Sequence, residues 1–235
     1  MDIIFTKDAF LEGQLLRIDK PLEWTSFQVV NKIRWALKKT YGIKKIKVGH
    51  AGTLDPLASG LLLICTGKMT KQIEQFMGMG KCYTGTLRLG TTTPSYDLET
   101  EVSEAQPVQH ITTEMLENTR AQFLGNIQQK PPLHSAIKKD GKRLYTLARA
   151  GETTEIPSRE ITISSFELTQ IHLPDVAFSV SCSKGTYIRS LAHDFGQILG
   201  CGAHLTSLQR TAIGDYTLSN SLTLDNFLHN LEEKS

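Results

Sequence analysis

The chain has 235 residues, 40% of them apolar, and 26 lysines and arginines against 24 aspartates and glutamates leave a net charge of +2. That balance is ordinary for a folded globular protein of one large domain, or one domain with lobes, and no run of about 18 uncharged apolar residues offers a membrane span. The four cysteines, Cys65, Cys82, Cys182 and Cys201, lack C-x-x-C spacing, which argues against a zinc ribbon or redox pair and reads as reduced core thiols. The opening "MDIIFTKDAFLEG" carries acids where a signal peptide carries bases, so a cytoplasmic protein is expected.

In chain order, "TSFQVVNKIRWALKKTYG" predicts the first helix. Thr25 and Gln28 have capping-box spacing, Phe27, Val30, Ile33, Ala36 and Leu37 form the expected buried stripe, and Gly42 can end it. From Lys32 to His50 there are seven lysines and arginines and no acid, and a second basic stretch runs from Lys138 to Arg149 with a single aspartate. The acids gather elsewhere, as in "YDLETEVSEA". Such segregation fits an anionic partner, nucleic acid first, and fits a solvated lysine-rich face equally well.

"GHAGTLDPLASGLLLICTGKMTK" places one carboxylate, Asp55, between a glycine-threaded loop and an apolar run. Taken alone, Asp55-Pro56 reads as a helix cap or turn, because the side chain can accept free N–H groups and proline suits the first helical turn. "GLLLICTG" reads as a short buried strand by its length and flanking glycines, although its periodicity also fits a helix. "KMTKQIEQFMGMG" would set Met69, Ile73, Phe76 and Met77 on one helical face, and "KCYTGTLRLG" alternates with Tyr83, Leu87 and Leu89 on one side of a strand.

"TTEMLENTRAQFLG" predicts another helix. "QQKPPLHSAIKKDGKRLY" is irregular and basic, with two prolines and the turn pair Asp140-Gly141. "DVAFSVSCS" alternates through Val176, Phe178, Val180 and Cys182, a strand with one buried face. It leads into the helix "IRSLAHDFGQILG", with Ile188, Leu191, Ala192, Phe195 and Leu199 as its stripe and Arg189 in the first turn, off that stripe. Strands and helices mix without strict alternation, so the expected fold is α+β, a mixed sheet rather than a doubly wound one.

Several of these segments, in order, resemble those of the TruB family of tRNA pseudouridine synthases. "LLRIDKPLEWTS" is similar to the family's opening Asp-Lys-Pro segment, and "GHAGTLDPLASGLLLICTGKMTK" to its signature loop. "KCYTGTLRLGTTTPSYD", "PPLHSAIKKDGKRLYTLARAG", "CSKGTYIRSLAHDFG" and "HLTSLQRTAIGDY" complete the set. Ser95 stands where the family has a second threonine, and Glu23 and Thr100 stand where it usually has glycine.

The resemblance implies a pseudouridine synthase fold, with a largely antiparallel central sheet and flanking helices over residues 1–235. It implies an RNA-binding insertion at about 128–152, and no C-terminal PUA domain is expected. The implied reaction converts the T-loop uridine 55 of tRNA to pseudouridine without metal or cofactor, the partner being the tRNA T arm and the protein a monomer. Asp55 would be the nucleophile, a carboxylate able to add and later leave, and Arg189 the guanidinium that keeps it ionised and oriented. Tyr83 would pack against the base and assist removal of the proton left on carbon. The target base must swing out of its loop, and His50 would fill the gap. Lys20, Lys138, Lys139 and Arg143 are expected as phosphate contacts. A tRNA-binding protein that refolds its partner without needing chemistry is the alternative from another class.

Overall fold

A computed structural model describes residues 3–135, 138–139, 142–143 and 156–234. The chain opens with α1 (Lys7–Glu12), β1 (Leu15–Lys20) and α2 (Ser26–Tyr41), then β2 (Val48–His50) and β3 (Ala58–Thr66). A 3-10 turn (Gly67–Gln72) runs into α3 (Ile73–Gly78), followed by β4 (Lys81–Leu89), α4 (Thr113–Ala121) and β5 (Gly125–Gln129). Next come β6 (Lys138–Lys139), β7 (Lys142–Arg143), β8 (Arg159–His172), β9 (Asp175–Cys182) and α5 (Ile188–Ile198). Strands β10 (Ala203–Ile213), β11 (Tyr216–Thr217) and β12 (Leu222–Thr223) precede the last helix, α6 (Leu224–Glu233). The architecture is α+β, with helices flanking a mixed and mostly antiparallel sheet.

Two compact units divide the chain, Met1–Tyr83 with Gln209–Ser235, and Thr84–Leu208. In the first, the strand order is β12-β1-β3-β10 and β2 pairs with β3. β1 runs antiparallel to β3 from Leu15↔Cys65 to Lys20↔Gly60, while β12 lies parallel to β1. The uninterrupted apolar run of β3 has a simple cause, since both of its faces are covered. Leu62 and Ile64 join Val29, Val30, Ile33 and Leu37 of α2 and Phe227 and Leu231 of α6, whereas Leu61, Leu63 and Cys65 pack with Phe76 and Ile213. Each such aliphatic side chain contributes about 1.5–3 kcal/mol when fully buried.

Helix α2 has the expected capping box, Thr25 with Gln28, and ends at Gly42 in the left-handed conformation, φ 61°. Its stripe differs from expectation at three positions: Phe27 is exposed, whereas Ser26 and Val29 are buried. At Ser26 a polar contact described below takes the inward position. After β3 the expected single helix is instead a 3-10 turn and the short α3, with Phe76 buried and Met77 exposed.

In the second unit the order is β10-β4-β9-β8-β5. β9 buries Val176, Phe178, Val180 and Cys182 as its alternation predicts. Phe123, Phe166, Phe178 and Phe195 form an aromatic centre with neighbouring rings 5.9–6.2 Å apart. β6 and β7 pair antiparallel, Lys138↔Arg143 and Lys139↔Lys142. The rest of the expected insertion at about 128–152 falls partly outside the described residues, at 136–137, 140–141 and 144–152. Among the described residues no helix is long and apolar enough to cross a membrane.

Candidate active site

The first unit carries Lys20, His50, Asp55 and Tyr83. Antiparallel strands β2 and β3 are joined by the loop 51–57, and Asp55 sits half-buried within it. No helix follows Asp55. Pro56 and Leu57 make a turn, closed by Ala58 N–H donating to the Asp55 carbonyl at 3.1 Å, and the chain enters β3. Of the two local readings of Asp55-Pro56, helix cap or turn, the turn is the one present, because the apolar run after it is a strand.

Every carbonyl from residue 52 to 56 is held. Arg210 donates to those of Gly52 and Thr53, the Ser26 hydroxyl to that of Leu54 at 3.1 Å, and the Glu23 N–H to that of Pro56 at 2.8 Å. Ser26 Oγ also accepts from Leu54 N–H at 2.8 Å, which is why this serine takes an inward position on α2. A loop whose carbonyls are all held can present a carboxylate at a fixed place.

Lys20 departs from its expected role. It occupies an inward position of β1, has no exposed surface, and its Nζ donates to the carbonyls of Pro21 (2.8 Å), Trp24 (2.6 Å) and Pro56 (3.3 Å). A phosphate has no surface to meet there. Burial pulls its pKa down to about 8, the Asp55 carboxylate opposes that shift, and the Arg210 cation adds to it. His50, at the end of β2, is held below the usual histidine range by burial first and the Arg210 charge second. Both causes favour the neutral imidazole. Tyr83 lies on the buried side of β4 with Leu87 and Leu89.

Arg189 lies in the second unit and, although off the apolar stripe of its helix, is buried. Only 3% of it is exposed. Its Nη1 donates to the Ser95 carbonyl (3.1 Å) and Nη2 to that of His134 (2.9 Å), while Nε is 3.6 Å from Asp97 Oδ2. A cation in the first turn of a helix is unfavourable by about 0.3–1 kcal/mol, and the Asp97 carboxylate offsets that. The start of α5 is fixed by Gln129, whose amide donates to the Tyr187 carbonyl (3.0 Å) and accepts from its N–H (2.8 Å).

The turn around Asp97 contains two of the departures noted above, and they touch. Ser95 Oγ and Thr100 Oγ1 are 2.8 Å apart, and Thr100 Oγ1 also accepts from Ser95 N–H at 3.0 Å. Glu23 explains its own oddity: its φ is 65°, the left-handed region in which glycine is at ease. Sequence reasoning assigned no role to Ser26, Asp97 or Arg210. Asp97 and Arg210 stood inside the quoted family-like segments, and an acid or base within such a segment was the available signal.

The family model described as "TruB family pseudouridylate synthase (N terminal domain)" matches residues 38–188, and that described as "tRNA pseudouridylate synthase B C-terminal domain" matches 189–234. The chain belongs to the TruB family. It is accordingly a pseudouridine synthase, an isomerase. It is similar to tRNA pseudouridine synthase B of Flavobacterium johnsoniae, 58% identical over 97% of this chain and 100% of that one. To the protein of that name from Phocaeicola vulgatus it is 52% identical over 96% of each chain. Among solved structures, a chain of an H/ACA RNP bound to a substrate RNA containing 2′-deoxyuridine superposes with a TM-score of 0.67 at 27% identity. A chain of a Cbf5-Nop10-Gar1 complex gives 0.69 at 28%. These matches cover 94% and 97% of this TruB family chain but only 53% and 58% of those chains.

Proposed function

We propose that the protein acts on tRNA and isomerises the T-loop uridine, position 55 in tRNA numbering, to pseudouridine, with Asp55 as nucleophile. The observation that carries this is the loop 52–56, held at every carbonyl around one carboxylate. The relatives named tRNA pseudouridine synthase B, matched over nearly their whole lengths, supply the substrate class.

In the reaction the bond from the ribose anomeric carbon to the base nitrogen breaks and a bond to the ring carbon forms. The proton on that carbon is lost and the freed nitrogen regains one, so nothing is consumed. A carboxylate suits the work because it adds to carbon and departs again. Arg189 is proposed to support Asp55, and its three contacts within its own unit already fix the guanidinium plane. Tyr83 is proposed to pack on the base and assist the proton transfer. Swinging a base out costs a few kcal/mol. A half-buried His50, its pKa lowered by that burial, suits stacking in the gap, which contributes about 1–3 kcal/mol. Lys138, Lys139 and Arg143, on the paired β6 and β7, are proposed to hold phosphates of the T arm.

The test is to incubate purified protein with unmodified tRNA transcript and with an isolated T-arm hairpin, then map pseudouridine by chemical modification and sequencing. Modification confined to the T-loop uridine, with the hairpin within about a hundredfold of whole tRNA in kcat/KM, is expected. Modification elsewhere, or none, contradicts the proposal.

A further inference from the structure

The family-like segment "HLTSLQRTAIGDY" has no part in the chemistry described so far, yet its arginine is the largest fully buried side chain among the described residues. Arg210 is 1% exposed. Its Nε donates to the Leu61 carbonyl at 2.8 Å, Nη2 to Gly52 at 3.0 Å and Nη1 to Thr53 at 3.4 Å. None of these three acceptors is a carboxylate. Burying a guanidinium costs several kcal/mol, and an apolar side chain of similar volume would avoid that cost. The charge is useful only if the carbonyls it meets have to point inward.

The backbone on both sides is adapted to that contact. Gly52 has φ 107°, a conformation that turns its carbonyl toward Arg210 and strains any other residue. Gly60 has φ 102°, and a Cβ there would lie 2.4 Å from the Arg210 carbonyl oxygen, so only glycine lets the two strands approach. One end of the fork holds strand β3 through Leu61, and the other end holds the limb of the loop between His50 and Asp55. A single planar group thus ties the loop to the strand that follows it.

We propose that Arg210 is a positioning residue for the isomerisation: by fixing the Gly52 and Thr53 carbonyls it sets where His50 and Asp55 stand. The proposal rests on the assignment of Asp55 as nucleophile. In support, the same cation is, after burial, among the influences that lower the His50 pKa.

The experiment compares wild type, Arg210→Gln, Arg210→Lys and Asp55→Asn on unmodified tRNA transcript. It measures the single-turnover rate at saturating RNA, the Kd for RNA and the melting curve, at a temperature where each variant is folded. Arg210→Gln should lower the saturating rate by more than about tenfold with Kd within about threefold of wild type. Arg210→Lys keeps the charge but cannot span three carbonyls, so its rate should fall between, at least about threefold below wild type. A merely structural role would lower the melting temperature and leave the saturating rate of the folded protein alone. A saturating rate for Arg210→Gln within about threefold of wild type, or a loss confined to Kd, overturns the proposal. Should that variant not fold, Arg210→Lys decides by the same comparison, and a wild-type rate overturns the proposal. Asp55→Asn separates the two ideas: pseudouridine formed by it overturns the nucleophile assignment, whereas its inactivity beside a normal Arg210→Gln overturns only the role of Arg210.

Discussion

The loop around Asp55 is held along its main chain, and the surroundings of Arg189 grip the side chain. At the loop, hydrogen bonds hold the carbonyls of residues 52–56 and the N–H of Leu54. At Arg189 the restraints fall on the side chain itself, where two carbonyls and the Asp97 carboxylate take the three nitrogens of the guanidinium. The difference follows from the tasks proposed. A nucleophile has to change its bonding during the reaction, and a held backbone beneath it keeps its place while it does so. An orienting cation keeps its state throughout, and its own atoms can be tied down.

The largest effect should come from loosening the second arrangement. Arg189→Lys keeps the charge but loses the planar fork, so one ammonium must serve Ser95, His134 and Asp97. The single-turnover rate at saturating tRNA should fall by about a hundredfold, roughly 2.7 kcal/mol of barrier, with RNA affinity little changed. A fall of less than about tenfold would break the comparison from this side.

Ser26→Ala attacks the loop from below. It strands the buried N–H and carbonyl of Leu54, and urea denaturation should show a loss of about 1–3 kcal/mol together with a lower saturating rate. Unchanged stability would mean that the hydroxyl is not what holds the loop.

A smaller effect sharpens the picture near Asp97. Ser95→Ala and Thr100→Ala should each destabilise the protein, but the double variant should fall short of their sum by about 1 kcal/mol in urea denaturation, because the two hydroxyls bond each other. Strict additivity would show that the two departures from the family pattern are independent. Smallest of all, Glu23→Gly should raise stability by up to about 1 kcal/mol by relieving the left-handed backbone. A decrease would mean that the glutamate side chain contributes more than the strain removes.

What the sequence made legible divides along the same physical line. The capping box of α2, its glycine stop and the alternation of β9 are local signals, and the structure contains them as expected. The burial of Lys20 and Arg189 is non-local. A hydrophobic stripe counts apolar residues only, and nothing near Arg189 in the chain announces that its partners are Ser95, Asp97 and His134. Ser26 was hidden for the same reason, since its partner Leu54 is 28 residues away. Helix α6 was missed although Thr223 caps it and Leu224, Phe227 and Leu231 line its buried face, a local signal that was there to find. Asp55 was legible as a candidate through its motif, while the clamp on its loop required Arg210, brought in from the far end of the chain.

The central claim is that the carboxylate carried by this loop does the chemistry. Its most direct test is Asp55→Asn beside wild type, each with unmodified tRNA transcript, measuring pseudouridine formed in a single turnover and Kd for the same RNA. The amide keeps the size of the side chain and removes the nucleophile, so the account predicts no detectable product with Kd within about threefold of wild type. Product formed at a rate within about a hundredfold of wild type would contradict it.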